Sequence, residues 1–189
     1  MRGEFRGVTD HFAVMGLSRA AWIDAEELKE RFHRLSAARH PDAGGGSADG
    51  FAELNAAWQT LRDPVSRLRH FLELTAPGIA TESAGPPAEL GDLFMEIAGL
   101  KREAQQFSAA REKAASPLAR AILEPARLAL VRRHTSIAEQ LSTLITETEA
   151  CLRGTENPPE VLCGVLSKMT FLRNWERHLA ALATGLAGG

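Results

Sequence analysis

Tyrosine is absent from this chain of 189 residues, and cysteine occurs only twice. With no tyrosine and few β-branched runs, the alternating patterns that mark strands are missing, which argues against a β fold. Cys151 and Cys163 lie twelve positions apart, a spacing that makes neither a disulfide framework nor a Cys-x-x-Cys metal knuckle. Charge of one sign is lacking too. The 22 basic and 24 acidic residues leave a net charge of −2, so no global field points to nucleic acid or to an anionic membrane. No stretch approaches the roughly 18 apolar residues of a membrane span. Met1 to Thr9 has no apolar segment of the secretory kind, so the protein is expected in the cytoplasm. The six histidines are scattered, without a His-x-x-x-His or Cys/His ligand set. Gly44-Gly45-Gly46 lacks the Gly-Lys-Ser/Thr that completes a phosphate loop. No catalytic centre, metal or cofactor is therefore expected.

What remains is helical periodicity, and it predicts an all-α fold. Asp10 caps a short helix over His11–Gly16, with Gly16 as its stop. Asp24 starts a second helix, with Glu27 three residues on in the manner of a capping box. Leu28, Phe32 and Leu35 give it one apolar stripe, and Pro41 ends it near Arg39. A third helix spans about residues 48–62, with Phe51, Leu54, Trp58 and Leu61 on its inner face. Asp63-Pro64 breaks it and opens a fourth, in which Val65, Leu68, Phe71 and Leu72 are apolar. Composition then shifts to Ala, Gly, Pro, Ser and Thr, the mark of a linker. Three long helices follow, over about 88–114, 117–152 and 160–182. The second is expected to bend or break at Pro125. Short turns between them make a three-helix bundle. The tail from Ala183 to Gly189 is expected to fray.

Between the second and third helices stands His40-Pro41-Asp42. Proline locks one backbone torsion, the Asp42 carboxylate can accept a bidentate hydrogen bond from a partner's arginine, and the His40 imidazole can face the loop or the partner. This is the chemistry of a contact site. Around it, Asp10-His11-Phe12 through Leu17, the run Leu28 to Leu35 and the run Leu54 to Pro64 resemble the first three helices of the J domain. The resemblance implies that His40, Pro41 and Asp42 dock on an Hsp70-type chaperone (HscA or DnaK-like) and promote its ATP hydrolysis. Lys29, His33 and Arg34 match positions that carry positive charge toward the acidic Hsp70 surface. By helical geometry Lys29 and His33 project about 100–140° from the apolar stripe, on the flank leading to His40. An ordinary solvated helix face is the alternative for any one of them.

The long segment Ser18–Ile23 and the run Gln59-Thr60-Leu61-Arg62-Asp63-Pro64 with Arg67 resemble the HscB co-chaperones of iron–sulfur cluster assembly, over almost the whole chain. That likeness implies an N-terminal J domain (residues 1–75), a linker (76–87) and a C-terminal helical bundle (88–189). It also implies that the bundle binds an IscU-like iron–sulfur scaffold through Phe94, Met95, Ala98 and Phe171. Phe94, Met95 and Ala98 share one helical face, and plain core packing is the alternative for Phe94 and Phe171. Ala43 stands where a basic residue is common after the tripeptide. Phe12 and Phe32 stand where tyrosines often occur, and Gly99 and Arg102 where the family has an acidic, regular helix.

Two other classes stay open on the residues alone. One is a J-domain adaptor for a different client. The other is a helix-turn-helix nucleic-acid binder, against which stand the near-neutral charge and the proline placed before the third helix.

Overall fold

The computed structural model describes residues 8–39, 47–79, 85–153 and 157–187. Among these residues the ordered elements are all helical. They fall into two compact units. One holds Met1–Thr81 with Cys151–Leu166, the other Glu82–Ala150 with Ser167–Gly189.

The first unit opens with α1, His11–Val14. The Asp10 carboxylate accepts from the amides of Phe12 (3.0 Å) and Ala13 (3.2 Å), satisfying donors the first turn cannot pair internally. Gly16 follows with φ +64°, where glycine avoids the clash other residues meet. The next helix, α2, is Ala25–Arg39. Its cap is Asp24, whose Oδ1 accepts from Glu26 and Glu27, both at 3.0 Å. Only Leu28 of α2 is fully buried, while Phe32 and Leu35 are half-buried. Ser47 caps α3, Ala48–Arg62, by accepting from Gly50. Phe32 stacks on Trp58 with centroids 4.7 Å apart and planes at 20°, joining α2 to α3. Asp63 caps α4, Pro64–Thr75, through the Ser66 amide at 2.8 Å, with Pro64 in the first turn. Phe12, Met15, Leu54, Leu61, Leu68 and Leu72 are completely buried. Each such side chain contributes about 1.5–3 kcal/mol on leaving water.

In the second unit a 3-10 turn at Ala88–Leu90 leads into α5, Gly91–Lys113, and then α6, Pro117–Ala150. The last helix, α7, is Pro159–Ala187. The core takes Leu93, Ile97, Leu100, Ala104 and Phe107 from α5, the i, i+4, i+7 row of an amphipathic helix. Facing it are Leu130, Ile137, Leu141 and Ile145 of α6 and Leu172, Trp175, Leu179 and Leu186 of α7. The ion pairs Arg133–Glu103 (2.6 Å) and Arg173–Glu149 (2.5 Å) link α6 to α5 and α7. His134 Nε2 also lies 2.9 Å from the Leu179 carbonyl.

Two expectations need correction. Pro125 does not break α6, which runs on from Pro117 to Ala150 with the proline inside it. The ring removes the bond to the Ala121 carbonyl, but both residues are exposed, so water can take that bond. Nor does the tail fray at Ala183. The helix continues to Ala187 because Leu182 and Leu186, one turn apart, pack against the bundle core.

Candidate functional site

The charged residues of α2 divide by direction. Arg31 and Arg39 turn inward to the end of α1, a helix too short to pair its own last carbonyls. Arg31 Nη1 donates to the carbonyl of Gly16 and, at 3.4 Å, to that of Met15. Arg39 Nη2 donates to the Val14 carbonyl at 3.3 Å. A Cβ at position 16 would stand 3.0 Å from Arg31 Nη1, so Gly16 serves both the turn and this contact. These two arginines hold the hairpin to α1 and are not offered to a visitor.

Lys29, His33 and Arg34 are exposed, Lys29 and His33 on one flank of the helix and Arg34 about 60° from Arg31 on the other. Lys29 pairs with Glu26 at 3.4 Å across open solvent. The His33 ring lies 5.9 Å from Phe32. Arg34 has no ion pair among the described residues. The structure thus sets these three on one helix, outside the packing that uses Leu28, Phe32 and Arg31. His40, Pro41 and Asp42 lie outside the described residues. The chain enters their segment from Arg39, anchored on Val14, and leaves it at Ser47, the cap of α3.

Sequence reasoning missed two buried polar residues on α4. Arg67 is 6% exposed, and its Nε and Nη1 donate to the carbonyls of Ala21 (3.1 Å) and Leu61 (2.9 Å). It thereby pins the Ser18–Ile23 segment to the end of α3. His70 is 4% exposed and accepts from the His11 amide. The sequence signal for Arg67 was its place in the HscB-like run, and for His70 its place beside Leu68, Phe71 and Leu72, and neither names a partner. The Asp10 cap is tuned as well. Slight burial works to raise its pKa, but the Arg19 hydrogen bond at 2.9 Å and the amides of Ala13 and Phe12 outweigh it and hold the carboxyl below its usual value.

The second predicted surface is on α5 and α7. Phe94 and Met95 are 44% and 61% exposed, large apolar groups left in water. Ala98 and Phe171 are half-buried. Phe94 and Phe171 both lie against the buried Trp175 ring, at 6.0 and 6.2 Å between centroids. Trp175 is the residue that brings the two phenylalanines together, and no periodicity argument singled it out. Nearby on the same two segments, Lys168 pairs with Glu89 at 2.9 Å. Among the described residues no group of three His, Cys, Asp or Glu side chains is placed to hold a metal, and no helix is long and apolar enough to cross a membrane.

Residues 10–70 match the family model of the DnaJ domain. The chain is 41% identical over 63 residues to a chaperone protein DnaJ of Acaryochloris marina, covering 32% of this chain and 16% of that protein. It is 31% identical over 94 residues to a chaperone protein DnaJ of Nostoc punctiforme, covering 47% of this chain and 24% of that one. The chain therefore spans under a quarter of the length of these curated relatives. Over 94% of its length it superimposes on the chaperone HscB from Vibrio cholerae, covering 99% of that chain, with a TM-score of 0.56 and 22% identity.

Proposed function

We propose that this DnaJ-domain protein of HscB-like fold is a co-chaperone, not an enzyme, whose His40-Pro41-Asp42 tripeptide engages an Hsp70-type chaperone and stimulates its ATPase. The observation that carries the reading is the DnaJ-domain match, which encloses the tripeptide together with α2 and α3 on either side of it. A proline-restricted loop loses little freedom on docking, so more of the contact energy appears as affinity. Asp42 supplies a carboxylate for a partner's guanidinium, and removing one member of a desolvated charged pair costs about 2–5 kcal/mol of binding. Exposed Lys29, His33 and Arg34 add positive charge that speeds encounter with an acidic surface.

The test is single-turnover ATP hydrolysis by an Hsp70 with wild-type protein, His40→Gln and Asp42→Asn. Both variants should lose stimulation while their helical circular dichroism is unchanged. Wild-type stimulation by both would end the case for this loop.

The client in this reading is an IscU-like iron–sulfur scaffold, held by Phe94, Met95, Ala98 and Phe171. What supports it is the HscB-like fold together with two large apolar side chains, Phe94 and Met95, left exposed on α5. Exposed apolar groups clustered over an aromatic base suit a protein contact. A pull-down with the cognate scaffold tests this half. No association at micromolar concentration leaves a J-domain adaptor for another client.

A further inference from the structure

The helix α5 sorts its charges by side. Its buried row, Leu93, Ile97, Leu100 and Phe107, fixes the inward direction. At about 100° per residue, Met95 and Arg102 point almost straight outward, about 20° apart, with Ala98 beside them. Phe94 and Lys101, also about 20° apart, lie on the flank next to α7, where Phe94 meets Trp175. Asp92, Glu96 and Glu103 gather within about 40° of one another on the flank next to α6. Glu103 is held there by Arg133 of α6 at 2.6 Å. Gly99 makes room for that guanidinium, since a Cβ at 99 would stand 3.1 Å from Arg133 Nη2. The acids of this stretch thus keep to one side of the helix. Lys101 and Arg102 stay on the side that carries Phe94, Met95 and Ala98.

Both cations are exposed, and neither has an ion pair among the described residues. The acid beside the start of α5, Glu89, is taken by Lys168 at 2.9 Å. The side that α7 turns to α5 runs from Phe171 through Asn174 and His178 to Ala181, which lines a small cavity with Gln105, and it holds no carboxylate. Along the axis Arg102 stands about 6 Å from Ala98, and Lys101 about 10 Å from Phe94. Two unanswered positive charges therefore follow the apolar patch within one to two turns. We propose that Lys101 and Arg102 extend the surface of Phe94, Met95, Ala98 and Phe171, and that the client segment it selects carries apolar side chains with at least one carboxylate about 6–10 Å beyond them. This selectivity rests on the client-binding reading of that surface and adds the sign of charge its partner must bear. A carboxylate so placed gains charge-assisted hydrogen bonds from both cations, and a basic segment meets repulsion.

The test is calorimetric titration of the full chain with the cognate iron–sulfur scaffold. The double variant Lys101→Glu, Arg102→Glu changes only exposed side chains and should keep its helicity. Its Kd should rise at least about tenfold at low salt, and the gap should narrow as salt is added. Arg102→Glu alone should raise Kd about fivefold. Lys113→Glu, the same charge change about 16 Å further along α5, should move it less than about twofold. If the wild type fails to bind, or Phe94→Ala, Met95→Ala binds unchanged, the client reading falls and this selectivity with it. If Phe94→Ala, Met95→Ala weakens binding while the double Glu variant binds as well as wild type or better, the client reading stands and the acidic selectivity is overturned. Equal effects of Arg102→Glu and Lys113→Glu would overturn it too. So would co-sedimentation with phosphatidylcholine–phosphatidylserine vesicles, or self-association of the chain, if the double Glu variant abolished it.

Discussion

The backbone amide of His11 donates to Nε2 of His70 at 3.1 Å, joining the first turn of α1 to α4 across 59 positions of chain. As acceptor, that nitrogen must be bare, which leaves the His70 proton on Nδ1, 3.7 Å from a Glu73 carboxylate oxygen. The two imidazoles stand 4.7 Å apart, Phe12 stacks on His70 at 5.6 Å, and His11 Nδ1 is buried without a partner. A neutral His11 ring fits this arrangement and a charged one does not.

Stability should therefore fall on mild acidification. Burial first, and the neighbouring His70 second, push the His11 pKa below its ordinary value, while Asp10 and Glu53 pull it part of the way back. The unfolded chain takes up the proton first, at about pH 6.5. The stabilisation is whole above that value and drains away as pH falls from there toward the lowered folded pKa. Melting temperature followed from pH 8 to pH 5.5 should decline, and His11→Gln should flatten the decline. An identical slope in the variant would remove His11 as the cause.

Arg67→Ala should cost about 3 kcal/mol, because it strips a charged donor from two carbonyls in a dry setting. Arg67→Lys should not restore the loss, since an ammonium cannot span both the Ala21 and Leu61 oxygens as a planar guanidinium does. The urea midpoint measures both. A loss below about 0.5 kcal/mol, within the range of ordinary surface changes, would show that the Ser18–Ile23 segment is held by other means.

Arg31 and Arg34 are three positions apart and should behave oppositely. Arg34→Glu should leave the melting temperature in place and raise the half-maximal concentration for Hsp70 stimulation several-fold, more at low salt than at high. Arg31→Glu should lower the melting temperature, because it removes the donor to the Met15 and Gly16 carbonyls and puts an acceptor there. If both variants only weakened stimulation, the division of α2 into an inward and an outward side would be mistaken.

The double variant Phe94→Ala, Met95→Ala should reduce scaffold association at least about tenfold with little change in melting temperature, as expected for large side chains already in water. Phe171→Ala should lower both, since Phe171 packs on the core beside Trp175. Calorimetric titration and thermal melts on the same samples separate the two effects.

Local chemistry was legible before any coordinates. Asp10 and Asp24 cap helices where their side chains sit two or three residues ahead of unpaired amides, a relation contained in a few neighbouring positions. Pro64 and Gly16 mark a start and a stop for the same reason. The inner residues of α3 and α7 followed from period 3.6, because Leu54 and Leu61 in one helix, and Leu162, Leu166 and Met169 in the other, recur on a stripe and are buried. Periodicity was silent on which of two neighbouring apolar residues stays in water. Phe94 and Ile97 both belong to an apolar helix, yet one is 44% and the other 6% exposed. The extension of α7 was missed because Leu186 holds the tail only once α5 and α6 are there to cover it.

The sequence by itself determined the helical class of the fold, the starts of its first helices and the presence of His40-Pro41-Asp42 between two of them, since hydrogen bonds to neighbouring amides and the ring of proline act within a few residues. Tertiary structure alone decided that His11 meets His70, that Arg67 reaches Ala21, that Trp175 underlies both Phe94 and Phe171, and that α6 turns Leu118 and Ile122 outward. Those facts depend on which surfaces are covered when distant segments pack, and coverage is a property of the assembled chain, absent from any stretch of it read alone.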